Sequence, residues 1–142
     1  MMNVGDVYYI DFPYDDNPEQ SKKRPAVVIL AVVPEQDSIS VLKITTQEHH
    51  GKYNVPILDL KSAGLNRNSY VQCNRLETVS KERIVSLRYN PSGYYGTLCK
   101  QDLENVQNKF AEYYADISLT AQAINNSVDN KILYSYNQNR GR

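Results

Sequence analysis

Pro25-Ala26-Val27-Val28-Ile29-Leu30-Ala31-Val32-Val33 is the stretch that decides the fold class. It is nearly continuous in β-branched and aliphatic residues, shows no polar face, and is bounded by Pro25 and Pro34. A short apolar run of this kind predicts a strand covered on both faces, not a helix. Toward the N-terminus, residues 6–12 alternate, placing Tyr8, Ile10 and Phe12 on one face of a second strand. Between the two lies a polar stretch from Pro13 to Lys23, with turn chemistry at Asp15, Asp16, Asn17 and Pro18.

Toward the C-terminus, residues 38–45 predict a strand with Ile39, Val41 and Lys43 on one face and Leu42 and Ile44 on the other. Residues 47–52 form a polar turn containing His49 and His50. Residues 53–60 alternate again, with Val55, Ile57 and Asp59 opposite Leu58 and Leu60, and residues 69–73 read as a further strand. Short strands in succession, with no helical period between them, point to an antiparallel barrel or sandwich. The pattern changes near residue 99. Leu103, Val106, Phe110, Tyr113 and Ile117 recur at three and four residues, the stripe of an amphipathic helix. Cys99 falls at its N-cap and Asp102 in its first turn, where a carboxylate suits the helix dipole. A weaker stripe of Ile124, Val128, Ile132 and Tyr136 predicts a second helix, interrupted by poor helix formers at Asn125, Asn126 and Ser127.

The chain has 142 residues, enough for one ordinary core. Its 16 Lys and Arg balance 16 Asp and Glu, which excludes a uniformly basic nucleic-acid coat but leaves room for a local basic groove. Cys73 and Cys99 lack the spacing of a zinc site and read as free thiols. No apolar run is long enough to span a bilayer, and the first residues lack the apolar core of a secretion signal, so the expected compartment is the cytoplasm.

Three stretches in order resemble the MazF/PemK toxin family. Gly5-Asp6-Val7-Tyr8 with Asp11-Phe12 is similar to its opening strand. Glu19-Gln20, three residues, then Arg24-Pro25-Ala26-Val27-Val28 is similar to its loop and second strand, and Thr45-Thr46-Gln47 to the end of its third. Residues 66–79 follow its spacing without a gap, so the resemblance spans residues 4–117. It implies an SH3-like antiparallel barrel, mainly β with a C-terminal helix, over residues 1–117. Residues 118–142 would then be a helical or partly disordered extension of the same domain. It further implies a homodimer, a toxin of a type II toxin–antitoxin system that cuts single-stranded RNA (mRNA), and a cognate antitoxin that blocks the RNA groove.

RNA can be cut by attack of its own 2′-hydroxyl on the adjacent phosphorus. The protein must then accept a proton, stabilise charge on phosphorus and protonate the leaving oxygen. No metal or cofactor is required, and none is expected. Arg24 stands at the position of the family's catalytic arginine, and a guanidinium can grip two phosphate oxygens. Thr45 matches the catalytic threonine, a hydroxyl donor on a strand end. The proton acceptor has three candidates: Glu19, which matches an acidic loop position proposed for this role in some members, and His49 or His50, apt by their near-neutral pKa. One branch of the family uses an Arg-x-Asp pair on a later strand; here the triplet is Gln72-Cys73-Asn74, which removes that mechanism. Lys22, Lys23, Thr46, Gln47, His49, Lys52, Arg67, Ser69 and Arg75 are the expected RNA contacts, with Lys43 nearby. Tyr14, Tyr53 and Tyr70 are candidates for base stacking, although in a chain without Trp each is better suited to a core or hairpin position than to a base platform.

A second class of function competes with the enzyme. The related CcdB toxins share the barrel but act by binding DNA gyrase, and a catalytically inactive barrel would bind RNA or another protein. The retained Arg24 and Thr45 positions favour the endoribonuclease.

Overall fold

The computed structural model describes residues 2–140 apart from 15, 18 and 48–50, with side chains in the last helix up to residue 127. His49 and His50, and Val128, Ile132 and Tyr136 of the second apolar stripe, therefore lie outside the described side chains. Among the described residues six strands, β1 (Asp6–Pro13), β2 (Ser21–Val28), β3 (Ser38–Thr45), β4 (Asn54–Pro56), β5 (Tyr70–Ser80) and β6 (Tyr94–Thr97), precede one α-helix, α1 (Lys100–Arg140). Every pairing is antiparallel, in the order β4-β5-β3-β2-β1-β6. The expected class, mainly β with a C-terminal helix, is the one observed.

Alternation in β1 and β3 is as read. Tyr8, Ile10, Phe12, Ile39 and Val41 join Ala26 and Val28 in one core on one face of the sheet. Val7, Val27, Leu42 and Ile44 join Val71, Cys73 and Val106 in a second core on the other. The sheet is therefore buried on both sides, which explains the unbroken aliphatic run of β2.

The bounds of β2 differ from the sequence reading. The strand starts four residues earlier, at Ser21, and ends at Val28; Leu30 and Val33 are 47% and 43% exposed. The reason lies in the neighbours. β1 pairs with β2 from Val7↔Val27 to Pro13↔Ser21, whereas β3 pairs only with Ala26, Val27 and Val28. The strand expected over residues 53–60 is also shorter, because the backbone beyond Pro56 has other acceptors. The N–H of Ile57 donates to Ser69 O at 2.9 Å, and those of Leu58 and Asp59 donate to the two Asp102 carboxylate oxygens at 3.0 and 2.9 Å. Leu58 is consequently 69% exposed. Conversely, the strand expected over 69–73 runs on to Ser80, and β6 is an element the sequence did not announce.

The hydrogen-bonded ladder is open, with β4 and β6 at its edges. The loop after β4 bridges them: Thr97 N–H donates to Ser62 O at 2.9 Å and Ser62 Oγ to Thr97 O at 2.6 Å. This approach requires glycine. A Cβ on Gly64 would strike the Tyr95 carbonyl, and one on Gly96 the Ser62 carbonyl. The sheet itself stays open, and the loop that leaves β4 packs against the β6 edge.

Cys99 caps α1 as expected, with Asp102 N–H 3.4 Å from its Sγ. Leu103, Val106 and Phe110 pack on the β core. The helix then continues without the expected interruption. Residues Met1–Phe110 form one compact unit and Ala111–Arg142 a second. In that second unit Ile117, Leu119 and Ile124 are exposed. No described helix is long and apolar enough to cross a membrane.

Candidate functional site

The site originates where β2 and β3 separate. Their ladder stops at Ala26↔Lys43; beyond it β2 stays with β1, while Ile44 and Thr45 pair with β5. Pro25 stands at the fork, where its missing N–H leaves no donor to continue the ladder. The two strands splay apart and open a pair of clefts that share Arg24 and Gln47.

The larger cleft, about 430 Å³, holds Lys22, Lys23, Thr46, Arg67 and Ser69. The smaller, about 290 Å³, holds Tyr14, Lys43, Thr45, Gln72 and Arg75. Thr45 and Thr46 are neighbours in sequence but line different clefts, as the strand period demands. Arg24 lies between the two and is half-buried.

Thr45 is 4% exposed, and its Oγ1 accepts the Gln47 N–H at 3.1 Å. A hydroxyl that accepts in this way still has its own proton to donate. Ser69 is buried, and its Oγ donates to the Arg67 carbonyl at 2.7 Å. Its proton is therefore committed to shaping the loop that carries Arg67. Lys43 sits 3.4 Å from Glu77 and 4.7 Å above the Phe12 ring, so its charge is already matched. Among the described residues no ion pair engages Arg24, Arg75, Lys22, Lys23 or Arg67. Among the described residues, the clefts thus carry positive charge that no ion pair matches, although the whole chain is neutral.

Two expected site residues lie elsewhere. Glu19 is exposed in the connection between β1 and β2 and lines neither cleft. Lys52 is exposed, 5.4 Å from the Tyr53 ring, and likewise lines neither. Of the stacking candidates only Tyr14 reaches a cleft. Tyr9 was missed: it lines the larger cleft and lies 4.4 Å from the Tyr95 ring. Its signal was available, a ring out of phase with Tyr8, Ile10 and Phe12. Cys73 is no nucleophile, because burial pushes its thiol up to about 12 against the opposing charge of Lys109. Among the described residues no group of three His, Cys, Asp or Glu side chains could hold a metal ion.

Residues 3–114 match the family model of the PemK-like, MazF-like toxins of type II toxin–antitoxin systems. The chain belongs to that family. Solved family structures share its fold at low identity. The Mycobacterium tuberculosis toxin MazF-mt6 superposes with a TM-score of 0.57 at 19% identity, covering 76% of this chain and 96% of that one. An endoribonuclease from a mycobacterial species, in complex with its cognate antitoxin, gives 0.60 at 15% identity, covering 81% and 96%. MazF from Deinococcus radiodurans gives 0.60 at 15%, covering 80% and 96%. No curated protein sequence matches the chain. Family members are thus covered almost end to end, while α1 beyond residue 114 lies outside the family model.

Proposed function

We propose that this family member is a cytoplasmic endoribonuclease that cuts single-stranded RNA through its own 2′-hydroxyl, without a metal, and is held in check by a cognate antitoxin. The observation that carries this reading is the fork at Pro25, which brings Arg24 and Thr45 to one cleft with unpaired cations on both sides. In this mechanism the scissile phosphate sits against Arg24. Its guanidinium matches the charge that develops on the phosphoryl oxygens, and Thr45 donates its hydroxyl proton to one of them. The buried position of Thr45 fixes that donor, so little reorganisation accompanies the reaction. Lys22, Lys23 and Arg67 hold the backbone on one side of the cut. Relatives of the same fold include proteins described as endoribonucleases, one in complex with its antitoxin, which supports the same reaction and partner here. A carboxylate-rich antitoxin segment would occupy the clefts by the same electrostatics. The chain acts as a homodimer, for which the exposed Ile117, Leu119 and Ile124 supply apolar surface, residues 118–142 extending the toxin domain.

The decisive experiment incubates purified protein with mixed single-stranded RNA in EDTA and analyses the ends. A 2′,3′-cyclic phosphate and a 5′-hydroxyl support the mechanism. A 5′-phosphate, or cutting beside a 2′-deoxy sugar, refutes it. One observation favours a second reading, a toxin that binds RNA without cutting it: neither cleft is lined by a described carboxylate or imidazole that could accept the 2′-hydroxyl proton. Tight RNA binding with intact RNA recovered would establish that alternative.

A further inference from the structure

β5 leaves its ladder with β3 at one place. Ile44 pairs with Val71 and Leu42 with Leu76, so β5 advances five residues while β3 advances two. The surplus falls on residues 72–75. A bulge of this kind re-aims side chains and is common beside binding sites. Here Cys73 turns into the core, fully buried, and both Gln72 and Arg75 line the smaller cleft with Arg24 and Thr45. Tyr14 completes the lining with a ring that is 42% exposed. Among the described residues no ion pair or side-chain hydrogen bond engages Gln72 or Arg75.

The chemistry of this lining is one-sided. Arg24, Lys43 and Arg75 can only donate, and the nearby carboxylate of Glu77 is held by Lys43. Among the described lining residues, side-chain acceptors come only from amides and hydroxyls. We propose that residues 72–75 build a base-reading subsite for guanine beside the scissile phosphate, with Arg75 gripping O6 and N7 and Tyr14 stacking on the ring. This inference rests on RNA being the ligand of the clefts. Guanine is the base whose O6 and N7 offer the guanidinium fork two adjacent acceptors on one edge. Adenine sets an amino donor beside its N7, which would face the N–H groups of Arg75, and uracil offers a single carbonyl on the corresponding edge. The carboxamide of Gln72 supplies the acceptor that the guanine amino group requires. The ring face of Tyr14 adds stacking that is indifferent to sequence.

The test uses uridine hexamers carrying one central guanosine, 7-deazaguanosine, adenosine or cytidine. Binding is read by fluorescence anisotropy on versions made uncleavable with 2′-deoxy sugars, and cutting on all-ribose versions. The guanosine hexamer should bind about tenfold or more tightly than the adenosine and cytidine ones, and 7-deazaguanosine, which lacks N7, should fall to their level. Arg75→Ala should abolish the preference, and Arg75→Lys, whose ammonium still reaches O6 and N7 but without the planar fork, should weaken it with less loss of overall affinity. Arg75 is exposed, so both variants should fold, and a thermal melt checks this. Equal binding of all hexamers overturns the proposal. So does a guanine preference that survives Arg75→Ala, or an Arg75→Ala variant that weakens every hexamer by one factor. The endoribonuclease reading is decided separately, by the mixed-RNA assay, while the binding arm decides the subsite even if no hexamer is cut.

Discussion

Lys43 Nζ and Glu77 Oε1 stand 3.4 Å apart, an ion pair that joins β3 to β5 beside the smaller cleft. The pair removes one cation from those available to a phosphate. Glu77→Gln should release it. RNA should then bind more tightly at low salt, with a steeper dependence of log Kd on log salt, by up to about one counterion. A salt titration of both proteins reads this directly. An unchanged slope would place Lys43 outside the RNA path.

Arg24→Ala should cost roughly 3–4 kcal/mol of transition-state stabilisation, or two to three decades in kcat, because among the described residues no other charged side chain lines both clefts. Arg24→Lys should recover only part of this, as a point charge cannot make the forked contact. Thr45→Ala removes a neutral donor and should fall less steeply. Single-turnover cleavage measures all three, and a Thr45→Ala defect larger than that of Arg24→Ala would reverse the assigned roles.

Glu19 is exposed and lines neither cleft. Glu19→Gln should therefore lower cleavage by no more than a few-fold, shifting the proton acceptor to His49, His50 or water. The pH profile separates these. A loss of two decades on Glu19→Gln would mean that the loop carries the carboxylate into the cleft when RNA binds.

Asp102 is fully buried and accepts the backbone N–H groups of Leu58 and Asp59 from the first turn of α1. The carboxylate ties the helix to the turn that ends β4. Asp102→Ala strands two donors and should destabilise the fold by about 2–4 kcal/mol, seen as a large fall in Tm. Asp102→Asn keeps one acceptor and should be milder. Near-wild-type melting of both would show that water satisfies the freed N–H groups.

Burial raises the Cys73 thiol from its ordinary value to about 12, so the folded protein holds that proton more tightly than the unfolded chain does. Burial also raises Tyr8 and Tyr95. Stability contributed by such groups is present below their unfolded pKa and is lost as pH rises through the folded one. The urea midpoint should accordingly fall between about pH 9 and 12, and Cys73→Ala should flatten that fall while creating a small cavity penalty at neutral pH. A slope unchanged by Cys73→Ala would assign the alkaline loss to the tyrosines alone.

Much of the fold was legible in the sequence because side-chain direction within a strand is a local property. Residues 38–45 show both faces of β3 correctly, and Tyr8, Ile10 and Phe12 lie together as their spacing required. The helix start at Cys99 and Asp102 was equally local. Arg24, Thr45, Thr46, Gln47 and Arg67 were legible as candidates only through their order along a family pattern, and the structure brings them to adjoining clefts. What composition and periodicity could not show is where one strand stops having a neighbour. β2 ends at Val28, opens at Pro25 and exposes Leu30 because β3 pairs with only part of it. The short β4 is set by Asp102, distant in the chain, which takes up the N–H groups that would have extended it. The surplus in β5 is likewise defined only against β3. Alternation belongs to a single strand and is written in its residues; pairing, divergence and register belong to two segments at once, and only the assembled sheet decides them.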